Sequence, residues 1–184
     1  MLQPVTFLLL FLALGARAEP SCLARVAGQV ASLRPAFPKL DGLNLVLETF
    51  ESKEDYYRAA PWYAWRPPRE RVYAVLMNTA VCETPPPPEA EKAILAHELA
   101  HLEAYTEMGK RDLLRLGWAY FVRPEGPLVK AFETAADDAA IARGFTAGLR
   151  AYREWLYPRI PPAAAARKKA LYRLQVPGLL KTGS

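Results

Sequence analysis

Apolar residues recur at helical spacing over residues 22–34 (CLARVAGQVASLR), and Pro35 ends that run. Residues 43–50 (LNLVLETF) and 71–82 (RVYAVLMNTAVC) are rich in Val, Leu, Tyr and Thr and read as strands. Between them lie Tyr56, Tyr57, Trp62, Tyr63 and Trp65 with Pro61, Pro67 and Pro68. This reads as an aromatic, proline-broken connector, whose rings are packing residues first and groove lining second. Pro85 to Pro88 form a stiff spacer. Residues 89–107 (EAEKAILAHELAHLEAYTE) then give the strongest helix of the chain. Acidic residues open it, Gly109 follows it, and Ile94, Leu95, Leu99 and Leu102 form its apolar face.

Four further helices are expected, over residues 110–122, 128–143, 146–157 and 162–175. Breakers separate them: Pro124 to Pro127, Gly144 and Pro158. The last helix is basic, and its Arg167, Lys168, Lys169 and Arg173 read as a solvated face. The pattern therefore predicts an α+β chain, mostly helical, with no internal repeat and no second domain.

Length and charge narrow this picture. A chain of 184 residues can bury a core without a disulfide framework. A hydrophobic content of 52% excludes intrinsic disorder. The formal charge of +5 comes without long Lys/Arg blocks, so no nucleic-acid partner is indicated. Residues 5–14 (VTFLLLFLAL) followed by Ala16-Arg17-Ala18 have the form of a signal peptide, residues 1–18, with cleavage after Ala18. That run is too short to span a bilayer, which needs about 20 apolar residues. The expectation is a single exported domain over residues 19–184, periplasmic or secreted, with no stable membrane span. An uncleaved signal anchor tethering it to a membrane is the alternative. In an oxidising compartment Cys22 and Cys82 could pair, or could remain two small unpaired residues.

The chemistry sits in residues 97–101, His-Glu-Leu-Ala-His. His97 and His101, four apart on a helix, project from one face one turn apart. Two imidazoles so placed can both reach a zinc ion at about 2.0–2.1 Å. Glu98 sits beside that face, where it can take a proton from an attacking water rather than bind the metal. These are the only two histidines in the protein. A third ligand must then be a carboxylate or, second, a cysteine. Glu133 and Asp137 share one face of the third helix, giving a ligand and an acceptor for an imidazole N–H. Glu103, Glu107 and Asp138 compete for the ligand role.

HELAH on one helix and Glu133-Thr-Ala-Ala-Asp137 on a later one resemble the glutamate-zincin metallopeptidases. The match is to the minimal fold of the CAAX-prenyl-protease and heat-shock-protease group, over about residues 71–144, without that group's transmembrane helices. The resemblance implies a zincin-like fold with a small antiparallel sheet packed on the active-site helix. It implies zinc on His97, His101 and Glu133, Glu98 as general base, and Asp137 in support. It also implies that the strand before the helix is an edge strand on which an extended peptide or protein substrate lies, here residues 72–80. The expected activity is hydrolysis of peptide bonds by an exported zinc metallopeptidase. The alternative is a non-catalytic metal-binding or partner-binding protein on the same fold. A group that steadies the oxyanion would have to be a tyrosine or arginine, with Tyr152, Arg153 and Tyr105 as candidates by position.

Overall fold

The computed structural model describes residues 21–172, so the leader expected over residues 1–18, and Arg173, lie outside the described residues. The chain begins with α1 (Cys22–Leu33), capped by Ser21, whose Oγ accepts from the Ala24 N–H at 3.2 Å. Three strands follow, β1 (Asn44–Phe50), β2 (Tyr57–Trp62) and β3 (Val72–Asn78), and then the helices α2 (Pro88–Glu107), α3 (Lys110–Val122), α4 (Pro127–Ala142), α5 (Thr146–Leu156) and α6 (Pro162–Leu171). The α+β, mostly helical class holds, and α1 to α5 lie within two residues of the spans expected, whereas α6 ends at Leu171 and the end expected at residue 175 lies outside the described residues. Proline sets several of their starts: Pro88, Pro127 and Pro162 each occupy the first helical turn, where no N–H partner is needed.

The sheet corrects two expectations. Its order is β1-β3-β2, with β1 parallel and β2 antiparallel to β3, so it is mixed rather than antiparallel. β3 is the central strand and has no open edge, so residues 72–80 cannot accept an added strand. The cause of both errors is β2, hidden inside what reads as a connector. Pro61 argues against a strand, but an edge strand tolerates a proline that a central one does not. Once β2 pairs with β3, β1 can pair only on the other side. The segment from 71 to 82 also ends as a strand at Asn78 and continues as a 3-10 turn over Thr79–Cys82.

The aromatic connector divides between its two readings. Tyr57 is buried, and Tyr56 packs edge-on to Trp155 at 4.7 Å, whereas Trp62, Tyr63 and Trp65 are exposed. Tyr63 turns the chain at φ 57°, a left-handed conformation uncommon for a bulky side chain.

One core holds the domain together. Val26, Val30 and Leu33 of α1, Tyr73, Val75 and Met77 of β3, and Leu149, Trp155 and Leu156 of α5 pack around α2. Helix α2 is buried nearly all round, from Ala90 to Glu103. Helix α5 approaches it closely at Gly148, where an added Cβ would lie 2.4 Å from the Glu89 carbonyl oxygen. A disulfide joins Cys22, the first residue of α1, to Cys82. Closing a loop of 60 residues is worth about 4 kcal/mol in the chain-entropy account. No helix of the described residues is long and apolar enough to cross a membrane.

Candidate metal centre

Helix α2 passes through the middle of the domain, so polar side chains on it must find partners or face a cleft. His97 and His101 project toward α4, and Glu133 of α4 meets them. The His97 Nε2 and His101 Nε2 atoms are 3.0 Å apart, and each lies 3.3 Å from Glu133 Oε2. Three ligand atoms of the type zinc favours thus converge on one point. Two atoms each about 2.1 Å from a tetrahedral ion are about 3.4 Å apart, so this spacing fits a small divalent cation with little adjustment. The three residues could therefore hold a metal ion.

Each ligand is held differently. His97 Nδ1 is 3.0 Å from Asp137 Oδ1, which fixes Nε2 as the outward-facing nitrogen when Nδ1 carries the hydrogen. Asp137 is in turn gripped by Arg153, whose guanidinium donates to Oδ1 at 2.7 Å and Oδ2 at 2.8 Å. The Tyr120 hydroxyl donates to Glu133 Oε1, leaving Oε2 for the histidines. His101 is steadied by packing: Phe132 stacks on it at 4.5 Å, and its Nδ1 has no hydrogen-bond partner among the described residues.

Charge follows from this crowding. Burial alone would lower the pKa of His97, but its hydrogen bonds to Asp137 and Glu133 and the charge of Glu98 outweigh that and raise it to about 10. Burial alone would raise Glu133, yet the two histidines pull it well below the ordinary carboxylate range. Glu98 is raised: burial dominates, and Glu133 adds to it against the opposing pull of both histidines. Glu98 is 6% exposed and lines the cleft, and its carboxylate has no hydrogen-bond partner among the described residues.

The cleft runs from the histidines to β2 on one side and α6 on the other. Tyr57, Arg58 and Ala59 of β2 line it, as do Ala164, Arg167, Lys168 and Leu171 of α6. The basic face of α6 is therefore not simply solvated. Arg167 pairs with Glu54 at 2.7 Å, Lys168 pairs with Asp55, and the Lys169 ammonium lies 5.1 Å from the Tyr157 ring centre. Tyr172, just past α6, sets its ring edge-on to His97 at 5.9 Å, with Arg153 over its face at 4.7 Å.

Of the residues expected from sequence, His97, His101 and Glu133 come together, Glu98 lies beside them, and Asp137 supports His97. The competitors fall elsewhere. Glu103 accepts from the Lys39 N–H and pairs with Arg143, Glu107 pairs with Lys39, and Asp138 faces solvent. Arg153 donates to Asp137, and Tyr152 stacks on Trp155 and meets the cleft residue Tyr57 edge-on at 6.2 Å. Tyr105 does line the cleft. Tyr120 and Tyr172 escape the sequence reading, because nothing local marks a tyrosine 13 residues before Glu133 or at the far end of a basic helix as its neighbour.

Compared with protein-family models, with curated proteins and with solved structures, this chain matches none, so its assignment rests on the residues of the site.

Proposed function

We propose that this protein is a zinc-dependent metallopeptidase of glutamate-zincin type. The observation that carries the reading is the convergence of His97 Nε2, His101 Nε2 and Glu133 Oε2 within 3.3 Å of one another, beside Glu98, which lines the same cleft and whose pKa burial raises. When bound, zinc supplies Lewis-acid polarisation of the scissile carbonyl and acidifies the attacking water. Glu98 takes the proton of that water and delivers it to the departing amine. Its raised pKa suits both halves of that task. Asp137 and Arg153 hold His97 in one tautomer, and Tyr120 orients Glu133. Tyr105 and Tyr172 are the cleft hydroxyls available to steady negative charge on the carbonyl oxygen. An extended peptide lies along β2, the edge strand that lines the cleft, in place of β3. An exported location, with the leader over residues 1–18 removed, is part of the same proposal, and the Cys22–Cys82 bridge supports it.

One observation favours the non-catalytic alternative: α6 is pinned across the cleft, with Tyr172 against His97. Both readings are tested by metal content and hydrolysis of a mixed peptide library, on wild type, Glu98→Gln and Glu133→Ala. A peptidase loses hydrolysis in both variants, and keeps about one zinc per chain in Glu98→Gln but not in Glu133→Ala. Zinc held by wild type without any hydrolysis establishes the alternative. Absence of zinc from wild type after reconstitution overturns both.

A further inference from the structure

Helix α3 is apolar on two faces. Leu113 and Leu116 are buried against the domain. On the opposite side Leu114 is 71% exposed, Trp118 67% and Phe121 81%. Their spacing of four and then three residues makes one stripe along the helix. The stripe forms one wall of a shallow groove whose other wall is Pro61 and Ala64 at the end of β2. Next to Ala64, Tyr63 and the largely exposed Trp65 meet edge-on at 5.5 Å. Large apolar side chains gathered in this way on a surface mark a contact.

The charges nearby say with what. Lys110, Arg111, Arg115 and Arg123 are exposed on and just beyond α3, against two acids: Glu125 beyond its end, and Asp112, which is turned back to accept from the Gly109 N–H at 3.1 Å. Arg111 lies three, four and seven residues before Leu114, Arg115 and Trp118, so cations and apolar residues share one side of the helix. Arg66 adds a further cation over the Tyr63 ring. Trp, Phe and Leu interleaved with Lys and Arg on one face are the composition of a helix lying in a bilayer interface. A second copy seated on this face by two-fold symmetry would oppose the same cations from both chains.

We propose that the outer face of α3, with the Tyr63–Trp65 turn, docks on an anionic lipid bilayer surface. The helix lies in the plane of the headgroups, Leu114, Trp118 and Phe121 enter the acyl boundary, and Lys110, Arg111 and Arg115 meet the lipid phosphates. The contact is peripheral and does not depend on the metal reading.

The test is co-sedimentation of the purified chain with vesicles of phosphatidylcholine alone or mixed with phosphatidylglycerol. Wild type is compared with Trp118→Ser/Phe121→Ser and Arg111→Glu/Arg115→Glu, all with the same termini and checked for native circular dichroism. Wild type should favour the phosphatidylglycerol vesicles, and each variant should lose at least about tenfold in partitioning, with binding weakened by salt. Variants that bind like wild type would place any membrane contact elsewhere in the chain and overturn the proposal. So would a wild type that ignores both vesicles. Wild-type self-association in ultracentrifugation that the Trp118/Phe121 variant abolishes, without vesicle binding, would give the face to a second copy instead.

Discussion

Glu91 and Glu98 lie on the same helix, seven residues apart, and both are buried, at 0% and 6% exposure. Their surroundings differ completely. Glu91 accepts from the Tyr57 hydroxyl and from Gln29 Nε2, each at 2.6 Å, and pairs with Arg25, so its carboxylate is saturated. Glu98 receives no hydrogen bond from the described residues and faces the cleft beside two imidazoles and a second carboxylate. A buried charge held by three donors joins α1, β2 and α2. A carboxylate that lines a cleft, with its pKa raised by burial, can hold and release a proton, which is what the proposed function asks of Glu98. Burial alone does not tell structure from chemistry, whereas the partner list does.

The sharpest way to break this comparison is to neutralise each carboxylate in turn. Glu98→Gln should lower peptide hydrolysis by about 10²–10⁴-fold while leaving thermal stability and metal content near wild type. Glu91→Gln should do the reverse, costing about 1–3 kcal/mol in denaturant unfolding with activity of the folded fraction intact. Equal losses of activity in both would erase the distinction. Asp137→Asn is expected to weaken zinc binding about 10–100-fold, because His97 loses the acceptor that sets its tautomer. It also removes the buried carboxylate to which Arg153, 2% exposed, donates, so metal-free unfolding should become easier by about 3–5 kcal/mol. Competitive chelator titration and unfolding curves check the two effects separately. Near the structural half of α2, Gly148→Ala should cost about 1–3 kcal/mol by pushing α5 off Glu89 and Ala93, with zinc affinity little changed.

The smallest effect concerns protons. In the metal-free chain the raised pKa of His97, about 10, keeps it protonated at neutral pH. Loading zinc must displace that proton, so calorimetry in buffers of different ionisation enthalpy should show about one proton released per ion at pH 7. The sign for stability follows from the direction of the shift. The contribution of His97 to the metal-free fold is fully present below its unfolded pKa of about 6.5 and is lost as pH rises through about 10. Glu133, shifted downward, contributes above its unfolded value and loses that contribution in acid, as pH falls through its depressed folded pKa. Metal-free stability should therefore decline toward pH 10, and zinc should remove that decline, since the deprotonated imidazole is the ligand. Unfolding curves with and without chelator measure it.

Much of the molecule is determined locally. Helix periods, prolines at first turns and glycines at ends fixed the helices, because those signals act within one turn. The His97–Glu98–His101 spacing carried its meaning for the same reason: residues four apart on a helix share a face wherever the helix goes. Glu133 and Asp137 could be grouped but not docked by sequence. Only packing of α4 on α2 brings Glu133 Oε2 to both imidazoles and Asp137 to His97. The mixed sheet was decided by tertiary structure too, since β2 becomes a strand only by pairing along β3, and Pro61 is tolerable only because that pairing leaves it on an edge. Arg153 behind Asp137, Tyr120 on Glu133, and α6 across the cleft are contacts between separate elements. Arg153, Arg167 and Lys168 stood out in the sequence and Tyr120 did not, and only the packing of one helix against another gave them these partners.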